Sequence, residues 1–267
     1  MNRVASIRAI FCAISLFAGG CDASNGPGNA AEASRPYPTG KRDSCEPIIF
    51  DDVPMTVCTA DPTQHVIELA ELDREGKPLR GFARLEPALG SRRDRLVFAM
   101  NAGMFDDRGL PIGLYVEQGR ELQSLNQRGG TGNFYMKPNG VFYGDDSGWH
   151  IATASAFAAR RTGGIHFATQ SGPMLVKDGR YNAAFDENGP SRYIRNGVCV
   201  DGEGRAFFAI SNAPVSFGKF ARLFRDRLNC PNALYLDGTV SSLWETKAGR
   251  RDAGAPIGPI VVVMQKR

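Results

Sequence analysis

Histidine is scarce in this 267-residue chain: only His65, His150 and His166 occur, scattered along its length. None has a recognisable partner motif, which argues against a histidine-based zinc site, a Ser–His triad or a catalytic cysteine. The six cysteines include no C-x-x-C pair, a second argument against structural zinc. Tryptophan occurs twice, at Trp149 and Trp244. The apolar run near the N-terminus, Ala9 to Phe17, is too short to span a bilayer. Neither sign of charge dominates. The formal net charge is +4, to which Arg3 and Arg8 contribute, and nothing in that balance calls for nucleic acid. The basic run Arg92-Arg93 with Arg95 is split by Asp94 and reads as a solvated face. Gly129-Gly130-Thr131-Gly132 lacks the lysine and following helix of a phosphate loop, so it reads as a mobile loop at the edge of a cleft. There is no repeat of fixed period and no inter-domain linker after about Arg42.

What is present is a turn-rich, aromatic-rich chain, with 31 glycines and 16 phenylalanines. Its N-terminus reads as an export signal spanning residues 1–20. Arg3 and Arg8 make a positive n-region and Ala9–Phe17 an apolar core. Ala18-Gly19-Gly20-Cys21 then resembles a bacterial lipoprotein cleavage site with Cys21 as the lipidated residue; Ala18 departs from the branched apolar residue usual there. Residues 21–42, dominated by Ser, Asn, Gly and Pro, read as a flexible tether. This predicts an exported protein of the bacterial envelope, held to the membrane through a lipid anchor, with a single folded domain over residues 43–267. Cys45, Cys58, Cys199 and Cys230 remain after export, and an even number in an oxidising compartment favours disulfides. Of the three possible pairings we favour Cys45–Cys58, which closes a short loop around Pro47 and Pro54, with Cys199–Cys230.

Periodicity places the elements. Gln64–Leu72 reads as a strand, Leu79–Leu89 as a short helix and Leu96–Met100 as a buried strand. Gln118-Gly119 signals a hairpin, Asn139-Gly140 a stronger one between Asn133–Lys137 and Val141–Tyr143, and Asp201–Gly204 another. Ala154–Arg161 reads as a short helix, and Phe167–Gln170 leads into Ser171. In the clearest helix, Ser216 is the cap and Phe217, Phe220, Ala221, Phe224 and Leu228 form one apolar stripe. Ala233–Leu236 and Ile260–Met264 are strands. Many strands joined by hairpins, with few helices, give an α+β fold with a mixed, largely antiparallel sheet in one compact domain.

Three segments place polar groups where apolar residues run out: Asn101-Ala102-Gly103-Met104-Phe105, Ser171-Gly172-Pro173-Met174 and Leu236-Asp237-Gly238-Thr239-Val240-Ser241-Ser242. A strand ending in Asn-x-Gly or Asp-Gly sets a polar side chain at the sheet edge, and glycine admits close approach to the backbone. Three such ends in one domain imply a shared polar cleft. With Gly113–Val116, Gly132–Tyr135, Lys137–Phe142 and Ser191-Arg192-Tyr193-Ile194-Arg195-Asn196-Gly197-Val198, they resemble the phosphodiester glycosidase family over roughly Ile67 to Val263. Animal members of that family include the lysosomal uncovering enzyme, which removes N-acetylglucosamine from a sugar phosphodiester.

The resemblance implies a hydrolase acting on a sugar–phosphate diester or related glycosidic bond. Asp237, at a strand end beside Gly238 and the hydroxyls of Thr239, Ser241 and Ser242, is the expected acid–base or nucleophilic carboxylate. Many relatives carry a second glycine where Thr239 stands. Arg195 is favoured over Arg192 by family position and suits a phosphate's oxygens with a planar fork of donors. Asn101, Gly103, Ser171, Gly172, Asn196, Gly238, Thr239 and Asn212 are the expected substrate-binding positions. Asp201 and Glu203 read as hairpin-turn residues, and Glu117 and Glu245 are carboxylates without a place in the scheme. Trp244, close after Asp237, is the better of the two tryptophans for stacking on a sugar. The scheme requires no cofactor, and the sequence shows no metal motif, although Asp237 with oxygen ligands admits a divalent cation. The expected partner is a carbohydrate or sugar phosphate. The competing class is a non-catalytic lipoprotein that binds envelope glycan in the same cleft.

Overall fold

The computed structural model describes residues 44–160 and 163–267. The expected signal peptide, the lipidation site Cys21 and the tether to residue 42 lie outside the described residues. In chain order the strands are β1 (Cys45–Phe50), β2 (Val53–Ala60), β3 (His65–Ala70), β4 (Leu96–Asn101), β5 (Tyr115–Glu117) and β6 (Arg120–Gln123). They continue as β7 (Gly140–Asp145), β8 (Gly148–Thr153), β9 (Phe167–Ser171), β10 (Met174–Lys177), β11 (Arg180–Tyr181) and β12 (Asn196–Val200). The last are β13 (Ala206–Ser211), β14 (Asn232–Tyr235), β15 (Leu243–Glu245), β16 (Arg250–Arg251) and β17 (Ile260–Gln265). The α-helices are short: α1 (Phe82–Leu89), α2 (Ala154–Ala159) and α3 (Phe217–Arg222), the last running on into a π-helical turn over Leu223–Arg227.

These strands form three sheets, in the orders β1-β2-β13-β12-β14-β10-β11, β16-β15-β4-β17-β3 and β6-β5-β9-β7-β8. Every neighbouring pair within them is antiparallel. The fold is thus α+β, built from antiparallel sheets with few helices in one compact domain. The sheets meet through aromatic side chains. Phe208 of β13 packs edge-on against Phe98 of β4 at 5.4 Å and Phe142 of β7 at 5.6 Å, and Phe142 in turn meets Phe167 of β9 at 5.2 Å. Edge-to-face pairing is the favoured ring geometry, and each ring removes a large apolar area from water. The apolar run of β4 is buried on both faces because Phe98 and Met100 enter this core while Leu96 and Ala99 pack under α1.

Both expected disulfides are present, Cys45–Cys58 across the β1–β2 ladder and Cys199–Cys230 from β12 to the turn after α3. The Gln118-Gly119 hairpin joins β5 to β6 with both turn residues at positive φ, 52° and 76°, the backbone of a type I′ turn. Ser216 caps α3 through its hydroxyl, which accepts from the Lys219 N–H.

The hairpin expected at Asn139-Gly140 is not formed. Asn133–Tyr135 is a 3-10 turn, and Asn139 points inward to donate to the Phe134 carbonyl. The inward amide satisfies a carbonyl that a strand pairing would have used, and Gly140 is packed so closely that a Cβ would lie 2.4 Å from Met174 Sδ. The hairpin of β7 runs instead to β8, where Asp145 Oδ1 accepts from the Ser147 N–H.

Candidate active site

Three strand ends converge. Asn101 closes β4, Asn196 opens β12 and Tyr235 closes β14 before the chain runs through Leu236 into Asp237. Antiparallel pairing of β12 with β14 puts Asn196 beside the end of β14, where the Leu236 N–H donates to the Asn196 carbonyl. The second sheet reaches this point through the Asp237 N–H, which donates to the Ala102 carbonyl. Asn101 is 1% exposed. Its Nδ2 donates to the Asp237 carbonyl at 2.7 Å, and its Oδ1 accepts from Asn196 Nδ2 and the Ser242 N–H. Asn196 Oδ1 accepts from the Ser241 hydroxyl. The two asparagines, expected on the ligand, are thus buried braces that hold the Asp237–Ser242 segment. Polar side chains this deep must be paired, and here the pairing fixes the loop.

A cavity of about 790 Å³ opens beside this segment, lined from one side by Ser191, Tyr193, Ile194 and Arg195 and from the other by Gly238 to Ser242. Phe217, Tyr235, Asn133 and Asp252 complete the polar and aromatic wall. Of the expected positions, Arg195, Gly238 and Thr239 line it. Gly238 is there for a local reason: a Cβ would lie 1.8 Å from the Tyr235 hydroxyl.

Arg195 is 1% exposed, yet among the described residues no carboxylate pairs with it. Its Nε donates to the Val215 carbonyl, Nη1 to the Tyr235 hydroxyl, and Nη2 to the Ser191 carbonyl and hydroxyl. Its guanidinium carbon sits 3.5 Å from the centre of the Phe217 ring. Burial presses its pKa down, while Tyr235 opposes that shift; arginine remains charged regardless. A buried charge without a counter-ion is costly, and this one adjoins a cavity able to admit an anion. The free planar fork expected from the sequence is not what the structure offers. Four of the five N–H donors of a guanidinium are already taken by neutral acceptors, so the group presents its charge and a remaining Nη1 N–H.

Asp237 is 8% exposed and immediately precedes the lining residues, capping a 3-10 turn over Gly238–Val240. Its Oδ1 accepts from the Thr239 N–H at 3.2 Å. Burial raises its pKa, more than the hydrogen bonds from Thr239 pull it down. Tyr235 is raised too, chiefly by burial and in part by the Asp237 charge, with Arg195 acting against both. Tyr235 therefore senses both the Arg195 charge and the Asp237 charge. Asp252 lines the cavity as well, but its carboxylate accepts from the Leu243 N–H and from Arg250 Nε and Nη2.

The remaining expected positions are placed elsewhere. Gly103 is required because a Cβ would lie 2.3 Å from the Gln170 carbonyl, and Gly172 because one would lie 2.7 Å from Asn139 Cβ; in both, protein rather than ligand approaches the backbone. Ser171 is buried, its hydroxyl has no partner among the described residues, and it is not part of the cavity wall. Asn212 is exposed and bonds Thr56 Oγ1 and Arg250. Trp244 is core, 6.0 Å from Phe82 and under Arg251, and Trp149 packs partly buried against the main core.

The other carboxylates are committed. Asp201 caps its hairpin and pairs with Arg205, Glu245 caps its own turn, and Glu117 accepts from the Tyr115 hydroxyl. Among the described residues no group of three or more His, Cys, Asp and Glu is placed to hold a metal. The sequence reading missed Phe217 and Tyr235 as site residues. The only signal for Tyr235 was its place at the end of an apolar strand two residues before Asp237.

The fold has solved counterparts. The catalytic domain of zebrafish N-acetylglucosamine-1-phosphodiester alpha-N-acetylglucosaminidase, auto-inhibited by its pro-peptide, superposes with TM-score 0.57 at 14% identity, covering 88% of this chain and 87% of that one. A Synechocystis protein matches with TM-score 0.50 at 16% identity over 83% of this chain and 61% of its own. A Burkholderia pseudomallei protein described as exported matches with TM-score 0.50 at 11% identity over 79% and 74%. At these identities the likeness is one of fold. In sequence, the Escherichia coli (strain K12) protein YigE is 42% identical over 148 residues, 55% of this chain and 57% of YigE. The match thus spans little more than half of that relative. The family model for phosphodiester glycosidase covers residues 94–264, which hold β4, the Arg195 loop and the Asp237 turn. The chain that builds this cavity belongs to the phosphodiester glycosidase family.

Proposed function

We propose that the protein is a hydrolase of the bacterial envelope that cleaves a sugar–phosphate diester. The observation that carries this reading is Arg195, a buried cation facing a cavity with only neutral acceptors around it. A phosphodiester supplies the missing negative charge, and the charge on its phosphoryl oxygens grows as the glycosidic bond breaks. In this reaction water adds to the anomeric carbon, the bond to the phosphate oxygen breaks, and a phosphomonoester leaves. Arg195 stabilises the departing phosphate, which is the electrostatic term that serves catalysis most. Tyr235, whose oxygen accepts from Arg195, directs its own proton to a phosphoryl oxygen. Asp237 serves as the acid–base carboxylate. Its raised pKa suits a group that must hold a proton nearer neutrality than an ordinary carboxylate does.

The sugar-phosphodiester bond named for the zebrafish enzyme supports this substrate class. The disulfides suit an oxidising compartment, and no helix among the described residues is long and apolar enough to cross a membrane. Lipidation at Cys21 would hold the domain at the envelope. The variant Cys21→Ser should leave the membrane fraction with its fold intact; unchanged membrane attachment would refute the anchor. The second reading, a binding module for envelope glycan, draws on Asp252: the carboxylate in the cavity wall is spent on Arg250 and a backbone N–H. Hydrolysis of sugar 1-phosphodiesters by the purified protein separates the two readings.

A further inference from the structure

We infer that Tyr193 is the platform on which the sugar ring of the substrate rests, an inference built on the diester reading of the same cavity. Tyr193 is 64% exposed, the one aromatic among the large apolar side chains left exposed in the described residues. It lies in the wall of the cavity, not on the outer surface at large. Its backbone is clamped to Val215 by two hydrogen bonds, N–H to carbonyl in each direction at 3.3 and 2.9 Å. The ring is thereby held on a fixed loop, the condition for a contact surface that loses little freedom on binding.

The other aromatic rings of the cavity are already in use. Phe217 carries the Arg195 guanidinium on its ring at 3.5 Å and stacks on Phe185 at 4.8 Å. Tyr235 is 2% exposed, with Phe217 edge-on at 4.8 Å and its hydroxyl on Arg195. Tyr193 alone offers an open face, and the Arg195 guanidinium carbon lies 5.7 Å from its ring centre. The cavity of about 790 Å³ is the size of a small-molecule site and far larger than a phosphate group needs. A pyranose presents an apolar C–H face and a rim of hydroxyls. With its phosphate against Arg195, that face covers the exposed ring of Tyr193 and returns its apolar surface to a dry contact.

Binding decides the matter. The full chain and its variants Tyr193→Ala and Tyr193→Phe are titrated with a hexose 1-phosphate, with glycerol phosphate and with inorganic phosphate. Tyr193→Ala should weaken the hexose 1-phosphate about tenfold, the scale of one aromatic contact, and leave inorganic phosphate and glycerol phosphate within about twofold. Tyr193→Phe keeps the ring and should bind as the parent does. Equal weakening of all three ligands by Tyr193→Ala, or none, would overturn the platform. A parent protein that binds none of the three overturns the diester reading itself, whatever the variants do.

Discussion

At the scale of single residues the account rests on Arg195 and Asp237, and they act differently. Asp237→Asn keeps size and the hydrogen bond from the Thr239 N–H but removes the titratable group. Turnover should fall by ~10²-fold or more, the scale of a positioned acid–base group, with little change in melting temperature. Because burial holds the Asp237 pKa above the ordinary carboxylate range, the parent's rate should decline only as pH rises past that raised value; a rate profile of the residual Asp237→Asn activity should lack this limb. Arg195→Lys keeps charge but cannot reach Val215, Tyr235 and Ser191 together as the guanidinium does. It should cost more on diesters than on neutral glycosides, and kcat/KM for matched pairs of substrates measures that difference. Equal losses on both would make Arg195 a packing residue.

At the scale of elements, what was legible were signals carried by a few adjacent residues. The β4 run, the Gln118-Gly119 turn, the Ser216 cap and the short Cys45–Cys58 loop each follow from local chemistry, and all are present, as is Cys199–Cys230, the pair that loop leaves over. What was not legible depends on distant partners. Asn139 looked like a turn residue until the Phe134 carbonyl claimed its amide. Asn101 and Asn196 looked like ligand contacts because an asparagine at a strand end is ambiguous; only their mutual pairing across 95 residues reveals a brace. Tyr193 lies in the segment read for Arg195 and Phe217 in the apolar stripe of α3, and that both rings face the cavity follows only from where the loop before β12 and α3 bring them. The brace is testable. Asn101→Ala should strand the buried Ser242 N–H and remove the amide that donates to the Asp237 carbonyl, costing about 2 kcal/mol. It should lower activity through a displaced Asp237. Denaturant unfolding reads the first and kinetics the second; an unchanged midpoint would contradict the brace.

At the scale of the whole molecule, three antiparallel sheets meet on aromatic side chains, and strand ends of the first two converge beside one cavity. The contact between the second and third sheets carries a pH dependence. Glu71, just after β3, is buried, and its pKa is pushed up to about 7 by that burial and by the neighbouring charges of Glu117 and Asp106. The folded state therefore holds a proton that the unfolded chain gives up near an ordinary carboxylate pKa. The stabilisation is fully present below that ordinary value and is lost as pH rises through about 7. Melting temperature should fall between about pH 5 and about pH 8, and Glu71→Gln should flatten the slope; an identical slope in the variant would assign it to other groups.

The central claim, that the cavity cleaves a sugar–phosphate diester, is tested most directly by the release of phosphomonoester from a panel of sugar 1-phosphodiesters. The purified parent and Asp237→Asn are compared side by side. The account predicts turnover of at least one diester by the parent, with ~10²-fold less in the variant. Saturable binding of the same diesters with no cleavage by the parent would contradict it.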